Sequence, residues 1–210
     1  MILKHYYWYF QSVLSPKFCD ELIVHAKNKN LTKGLTGEFA SKQIAEKKLT
    51  KKDILNLKKK RDSNVTWLND PWIYNEIHHY VHAANKSAGW NFDWDWSESC
   101  QFTKYNKNQF YDWHCDSFQE PFNSKDKNLH GKIRKLSVTC SLSDPKDYSG
   151  GELEFQFRDN QNPNKTRICK EILPRGSIVV FPSHVWHRVK PIKKGKRYSL
   201  VVWNLGYPFK

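Results

Sequence analysis

The chain has 210 residues, 39% of them hydrophobic and 15% aromatic, and its 35 Lys and Arg against 21 Asp and Glu give a net charge of +14. That length suits one domain, or one domain with an elaborated flank, and the apolar content is enough for a sizeable core. No apolar run approaches the length needed to cross a bilayer, and the opening "MILKHYYWYFQSVLSP" has no small-residue cleavage site, so neither a membrane span nor a signal peptide is expected.

Five cysteines (Cys19, Cys100, Cys115, Cys140 and Cys169) form no Cys-x-x-Cys pair, and their number is odd. This speaks against a structural zinc site or a disulfide framework and for a reducing cytoplasm. The positive charge would attract nucleic acid, ribosomes or acidic proteins. The lysines are spread widely, however, and read first as a solvated surface.

In chain order, "VLSPKFCDELIVHAKNK" (13 to 29) has the start signals of a helix. Ser15 suits the N-cap, Pro16 the first helical position, and acids follow in the first turn. Phe18, Leu22, Ile23 and Ala26 recur at helical spacing. Residues 38 to 61 are lysine-rich and weakly periodic, which reads as a mobile or inserted segment with the run "KKLTKKDILNLKKKR" on the surface. "DPWIYNEIHHYVHAANKSAGW" (70 to 90) is a second amphipathic helix, with Pro71 near its start and Gly89 after its end.

From residue 91 short β-branched and aromatic segments alternate with turn signals. They are "SCQFTKYN", "QFYDWHCD", "KLSVTCSLS", "GELEFQFR", "RICKEIL", "GSIVVFP", "HVWHRVKP" and "RYSLVVWNLG". Such spacing predicts a sandwich or jelly roll with the helices backing one sheet. The expected class is mostly β with flanking α. Residues 1 to 98 would provide helical support and the basic insert, and 99 to 210 the core.

Within "FYDWHCDSF", His114 and Asp116 stand two apart, and residues i and i+2 of a strand share a face. Strand alternation also turns Cys115 away from that face. Two ligands do not make a metal site. The C-terminal segment offers a third in His184 or His187. Two imidazoles and one carboxylate form a facial triad that suits non-haem Fe(II) and leaves positions open for other ligands. Arg197 lies in the apolar stretch "RYSLVVW", an unusual place for a surface arginine.

These blocks, in this order, resemble the 2-oxoglutarate and Fe(II)-dependent dioxygenases, specifically the prolyl 4-hydroxylase-like branch and within it the PKHD-type hydroxylases. The resemblance rests on "VLSPKFCDELI", "RDSNVTWLND", "QFTKYNKNQFYDWHCD", "RKLSVTCSLSDPKDYSGGELEF" and "LPRGSIVVFPSHVWHRVKPIKKGKRYSLVVW". It implies a double-stranded β-helix core and metal ligands His114, Asp116 and His187. His187 is preferred to His184 because it precedes "RVKP" and stands ten residues before Arg197. The resemblance also implies that Arg197 and Tyr105 bind the far carboxylate of 2-oxoglutarate, and that Tyr111, Arg134 and Trp203 line the substrate site. Each of these last three also has an ordinary structural reading, as core aromatics or a solvated strand entry. Fe(II), 2-oxoglutarate and O2 are the implied cofactor and cosubstrates, with ascorbate as reductant. The implied reaction hydroxylates a peptidyl residue, proline first, and releases succinate and CO2. Leu153 and Leu205 depart from the branch, which often carries Thr and His there.

Two other function classes fit the same scaffold. One is an oxidative demethylase of nucleic acid, consistent with the charge but needing an aromatic, basic lid that residues 33 to 61 supply only in their basicity. The other is a non-catalytic metal-binding module, which would have no use for a cosubstrate anchor at Arg197. For a hydroxylase of proteins, the charge points to acidic or ribosome-associated targets.

Overall fold

A computed structural model describes residues 3–37, 48–117, 120–157 and 165–209. Three helices are described: α1 (Pro16–Lys27), α2 (Lys51–Lys60) and α3 (Pro71–Ser87). The early strands are β1 (Trp8–Phe10), β2 (Thr32–Lys33), β3 (Arg61–Asp62), β4 (Asn64–Leu68) and β5 (Trp96–Ser97). Then come β6 (Cys100–Tyr105), β7 (Phe110–His114), β8 (Ile133–Ser141), β9 (Tyr148–Gly150) and β10 (Leu153–Phe157). The last are β11 (Lys165–Ile168), β12 (Ile178–Pro182), β13 (Trp186–Val189), β14 (Ile192–Gly195) and β15 (Arg197–Gly206).

The strands form a large antiparallel sheet in the order β1-β12-β8-β15-β6-β4-β2, with β5 also on β15. A smaller antiparallel sheet runs β11-β10-β13-β7-β3, and β14 pairs with β9. This is the mostly β, jelly-roll class that the spacing of the segments predicts.

Alternation along the large sheet sorts its two faces. Leu136, Val138 and Cys140 of β8 pack with Phe102, Leu200 and Val202 against Leu22 of α1 and Ile73, Ile77 and Val81 of α3. Between them in sequence, Ser137, Thr139 and Ser141 are also buried. The inner face of the sheet meets the smaller sheet through Tyr105, Val179 and Phe181 against Leu153, Phe155 and Val189. One face is therefore oily, and the other is studded with hydroxyls.

Ser15 caps α1 by accepting from the Phe18 N–H at 3.0 Å, with Pro16 at the first position. No acid lies in the first turn; Asp20 and Glu21 fall in the second. The lysine-rich segment is not structureless after residue 50. Thr50 and Asp53 close a reciprocal capping box, and α2 follows, held by one buried residue, Leu57. Residues 38 to 47 of that segment lie outside the described residues. "RICKEIL" is a strand only to Ile168, then a 3-10 turn at Lys170–Ile172. The five cysteines are all free, four of them buried. Among the described residues no helix is long and apolar enough to cross a membrane.

Candidate active site

The centre of the site is a cross-strand pair. β7 and β13 run antiparallel with His114 directly opposite His187. Strand β7 stops at His114, two residues before strand alternation could carry through to Asp116. Asp116 reaches the pair by a turn. The N–H groups of Asp116 and Ser117 both donate to the Ser183 carbonyl, each at 2.9 Å. Ser183 directly follows strand β12 of the large sheet, and its hydroxyl pairs with that of Ser137 at 2.9 Å. The carboxylate is thus placed by the large sheet and the imidazoles by the small one.

Among the described residues His114, Asp116 and His187 form one converging group, with one ligand atom from each lying within 4.8 Å of the others. His114 Nε2 is 3.8 Å from Asp116 Oδ1, and His187 Nε2 is 3.7 Å from Oδ2. On the far side of each ring, Nδ1 meets a backbone carbonyl: that of Asp112 at 2.7 Å for His114 and of Val185 at 3.0 Å for His187. A carbonyl can only accept, so each Nδ1 carries the proton and each Nε2 presents a lone pair inward. Two neutral imidazoles and a carboxylate on one side of a point fit a divalent metal of the Fe(II) class and leave the other side open.

The packing fixes these rings. Tyr111 stacks on His114 with centroids 3.5 Å apart and planes 12° apart, and Phe181 sets its edge to His187 at 4.7 Å. Burial, then the neighbouring His187, pushes the His114 imidazole down to about 3. Burial works the other way on Asp116, yet His187, His114, Arg134 and the Ser137 hydroxyl hold its carboxyl below the ordinary range. His114 is therefore held neutral beside an ionised Asp116 carboxylate. His184 is exposed in the turn before β13 and takes no part in the group. Cys115 directs its Sγ to the Ser117 carbonyl at 3.7 Å, outside the group.

Arg197 and Tyr105 face each other across β15 and β6, and both are buried. The guanidinium carbon lies 5.7 Å from the Tyr105 ring centroid. Among the described residues Arg197 forms no ion pair. Its Nη1 donates to the Ser199 hydroxyl at 3.3 Å, with Ser199 itself 2% exposed. A buried cation beside hydroxyls, without a protein anion, fits an incoming carboxylate. Gly151, at φ +68°, makes the fit possible, because a Cβ there would stand 3.2 Å from Arg197 Cδ in a backbone region L-residues rarely adopt. Leu153 is buried among apolar side chains and brings no hydroxyl, so Ser199 is the residue that places one beside Arg197. Burial raises the Tyr105 phenol above its ordinary range although Arg61 and Arg197 act against it, so Tyr105 keeps its proton to donate.

The remaining three candidates converge on the same mouth. Arg134 stacks over Trp203 at 3.9 Å, donates to the Asp116 carbonyl at 3.5 Å, and grips Glu98 through Nε at 2.5 Å and Nη2 at 2.7 Å. Arg134 is therefore no solvated strand entry. Trp203 is buried, and its Nε1 has no hydrogen-bond partner among the described residues. Sequence reasoning missed Glu98, Ser199 and Arg61. Arg61 was expected on the surface at the end of the lysine run, yet it is 4% exposed. Its signal was the break from lysine to "RDSNV", where a strand begins.

Comparison with known proteins agrees with this geometry. The sequence profile described as the 2OG-Fe(II) oxygenase superfamily matches residues 100–204, half of the chain. A PKHD-type hydroxylase of Synechococcus sp. (strain CC9902) is 42% identical over 98 residues, which is 46% of this chain and 36% of that protein. Another, of Pseudoalteromonas atlantica, is 32% identical over 104 residues, which is 49% of this chain and 41% of that protein. The match spans less than half the length of either relative. Among solved structures, the viral collagen prolyl hydroxylase of Paramecium Bursaria Chlorella virus-1 superposes with a TM-score of 0.63 at 19% identity, covering 97% of both chains. A Pseudomonas putida prolyl-4-hydroxylase gives 0.65 at 18% identity, covering 96% of this chain and 93% of that one. At such identities the likeness is one of fold.

Proposed function

Because the chain belongs to the 2OG-Fe(II) oxygenase superfamily, we propose that it is a 2-oxoglutarate-dependent dioxygenase that hydroxylates a peptidyl residue, proline first among them. The observation that carries this reading is the inward-facing group of His114, Asp116 and His187 with both Nδ1 protons tied to backbone. When bound there, Fe(II) supplies the oxidising chemistry, in which 2-oxoglutarate and O2 convert a C–H bond to C–OH and yield succinate and CO2.

The chain's own residues hold the geometry. His114, Asp116 and His187 hold the metal on one side. Arg197 binds the far carboxylate of 2-oxoglutarate as a planar fork, with Ser199 steering Nη1 and Tyr105 donating its phenol proton. Tyr111 and Trp203 wall the mouth, and the free Trp203 Nε1 donates to a backbone carbonyl of the target polypeptide. Arg134 is held rigid by Glu98 and supports Trp203 from behind. The names of the PKHD-type relatives and the prolyl hydroxylases of like fold support a peptide target. The five free cysteines fit a reducing cytoplasm, and the +14 charge fits an acidic target or one associated with ribosomes.

The test is an anaerobic titration with Fe(II) and 2-oxoglutarate, following the visible charge-transfer absorption of the chelate. The band is expected in the wild type and weakened in Arg197→Ala. Succinate release is then compared between proline-containing peptides and methylated oligonucleotides. Iron bound without a band defeats the dioxygenase reading. Turnover with the oligonucleotides alone replaces the peptide reading with the nucleic-acid one.

A further inference from the structure

Arg61 is the first residue of β3 and pairs with Tyr111 of β7. Its guanidinium is almost wholly buried. Nε donates to the Ser63 hydroxyl and Nη1 to the Leu35 carbonyl, each at 2.8 Å. Nη2 is buried with no hydrogen-bond partner, and among the described residues no carboxylate forms an ion pair with Arg61. Gly34 closes one side, since a Cβ there would lie 2.6 Å from Nε and 2.8 Å from Cζ. Tyr111 closes another, with Cζ 4.4 Å from its ring centroid. That same ring stacks on His114. The order is guanidinium, phenol, imidazole, so the unpaired cation lies one ring from the metal-ligand group.

Removing a cation from water without an anion is costly, and a cation–π contact returns only part of the loss. Asp62, the neighbouring acid, is turned instead to Lys33 and Gln109. The Tyr105 phenol lies in the field of both Arg61 and Arg197. We propose that Arg61 is a second carboxylate receptor of this site, with its free Nη2 taking an anionic oxygen of a ligand bound beside Tyr111. Two ligands carry that chemistry: the far carboxylate of 2-oxoglutarate, shared with Arg197, and an acidic side chain flanking the target residue of a polypeptide. The inference rests on the dioxygenase reading for the identity of these ligands.

The experiment uses the Fe(II)-loaded protein without O2, so that binding is read without turnover, in wild type, Arg61→Gln, Arg61→Lys and Arg197→Gln. One arm measures 2-oxoglutarate affinity by calorimetry. The other measures, at saturating 2-oxoglutarate, the anisotropy of two labelled proline peptides that differ only in Asp or Asn beside the proline. A charge-assisted hydrogen bond lost from a buried site weakens binding about tenfold or more. Weakened 2-oxoglutarate binding in Arg61→Gln, with the peptides unaffected, assigns Arg61 to the cosubstrate. Loss of an Asp-over-Asn preference, with 2-oxoglutarate unaffected, assigns it to the polypeptide. Should Arg61→Gln not fold by circular dichroism, Arg61→Lys carries both arms, because a single ammonium cannot hold Ser63 and Leu35 and also present a donor where Nη2 stands. Wild-type 2-oxoglutarate affinity in a folded Arg61 variant, together with an unchanged or absent Asp-over-Asn preference, overturns the proposal. Unchanged 2-oxoglutarate binding in Arg197→Gln is a separate result that defeats the dioxygenase reading instead.

Discussion

Replacing Glu98 by Gln tests how the mouth of the site is held. Glu98 follows β5 and reaches across to Arg134 at the start of β8, with side chains 17% and 13% exposed. Both oxygens are engaged, at 2.5 and 2.7 Å, while the same guanidinium covers Trp203 and contacts the Asp116 carbonyl. Glutamine keeps the size and removes the charge. Removing one partner of a fully buried pair costs about 3–5 kcal/mol. Here both ends keep some water and Asp116 offers Arg134 a second anion, so the expected loss is about 2–3 kcal/mol. For a chain of this size that lowers Tm by about 5–10 °C. The assay is urea unfolding of the metal-free protein for Glu98→Gln, Arg134→Gln and the double variant. A coupling energy of about 1.5–3 kcal/mol is expected from a shared buried pair. A second readout is metal affinity, which should fall in Glu98→Gln as the released Arg134 is drawn to Asp116. Single effects that add to within about 0.5 kcal/mol, with metal affinity unchanged, would refute the argument.

Three other outcomes are expected. Arg197→Gln should leave the ligand-free protein as stable as wild type or about 1–2 kcal/mol more stable, because it removes a buried cation with no protein anion. The thermal shift produced by 2-oxoglutarate should vanish in the same variant, and a large loss of ligand-free stability would show that Arg197 is structural. Phe155→Ala, at a ring wholly buried between Tyr7 and Phe181, should cost about 3–5 kcal/mol in urea unfolding and loosen His187 enough to weaken metal binding. Burial, then His82, depresses His78 below its ordinary 6.5, so below that pH the unfolded chain binds the extra proton and stability falls with falling pH. His78→Gln should flatten the stability profile between pH 7 and pH 5.5, and an unaltered slope would reject His78 as its source.

Local signals made the outline legible. The Ser15-Pro16 start of α1, the period-two strands and the pairing of His114 with Asp116 all have short-range causes that a reader of sequence can see. Even so, the strand argument put Asp116 on the right face for an incomplete reason. The carboxylate arrives through a turn pinned by Ser183, sixty-odd residues on, and no spacing within "HCD" records that. Helix α2 was hidden because only Leu57 is buried, so its face carries no apolar stripe; the Thr50–Asp53 cap was the available clue. Glu98 and Arg134 find each other across 36 residues, and periodicity has no term for such a pair. Arg61 read as the end of a basic run because charge composition says where a cation is in the chain and not whether water reaches it.

The large sheet explains why these misses fall together. Its outer face satisfies itself with apolar contacts to α1 and α3. Its inner face buries Gln101, Thr103, Ser137, Thr139, Ser141, Ser199 and Arg197, groups that weaken a core unless something bonds to them. Some are satisfied locally, as Gln101 with Thr103 and Ser137 with Ser183. The exceptions are few. Among the described residues three buried side-chain atoms have no partner, and two of them, Arg61 Nη2 and Trp203 Nε1, belong to residues stacked on Tyr111 and Arg134. A chain optimised only for stability would fill these positions with apolar side chains. Their retention places unmet donors and cations around the metal-ligand group, so ligands that satisfy them must add stability that grows with the logarithm of their concentration over Kd. Binding and folding are thereby coupled through these unmet groups, and removing an unpaired cation such as Arg197 should weaken the ligand while leaving the empty protein as stable or more so.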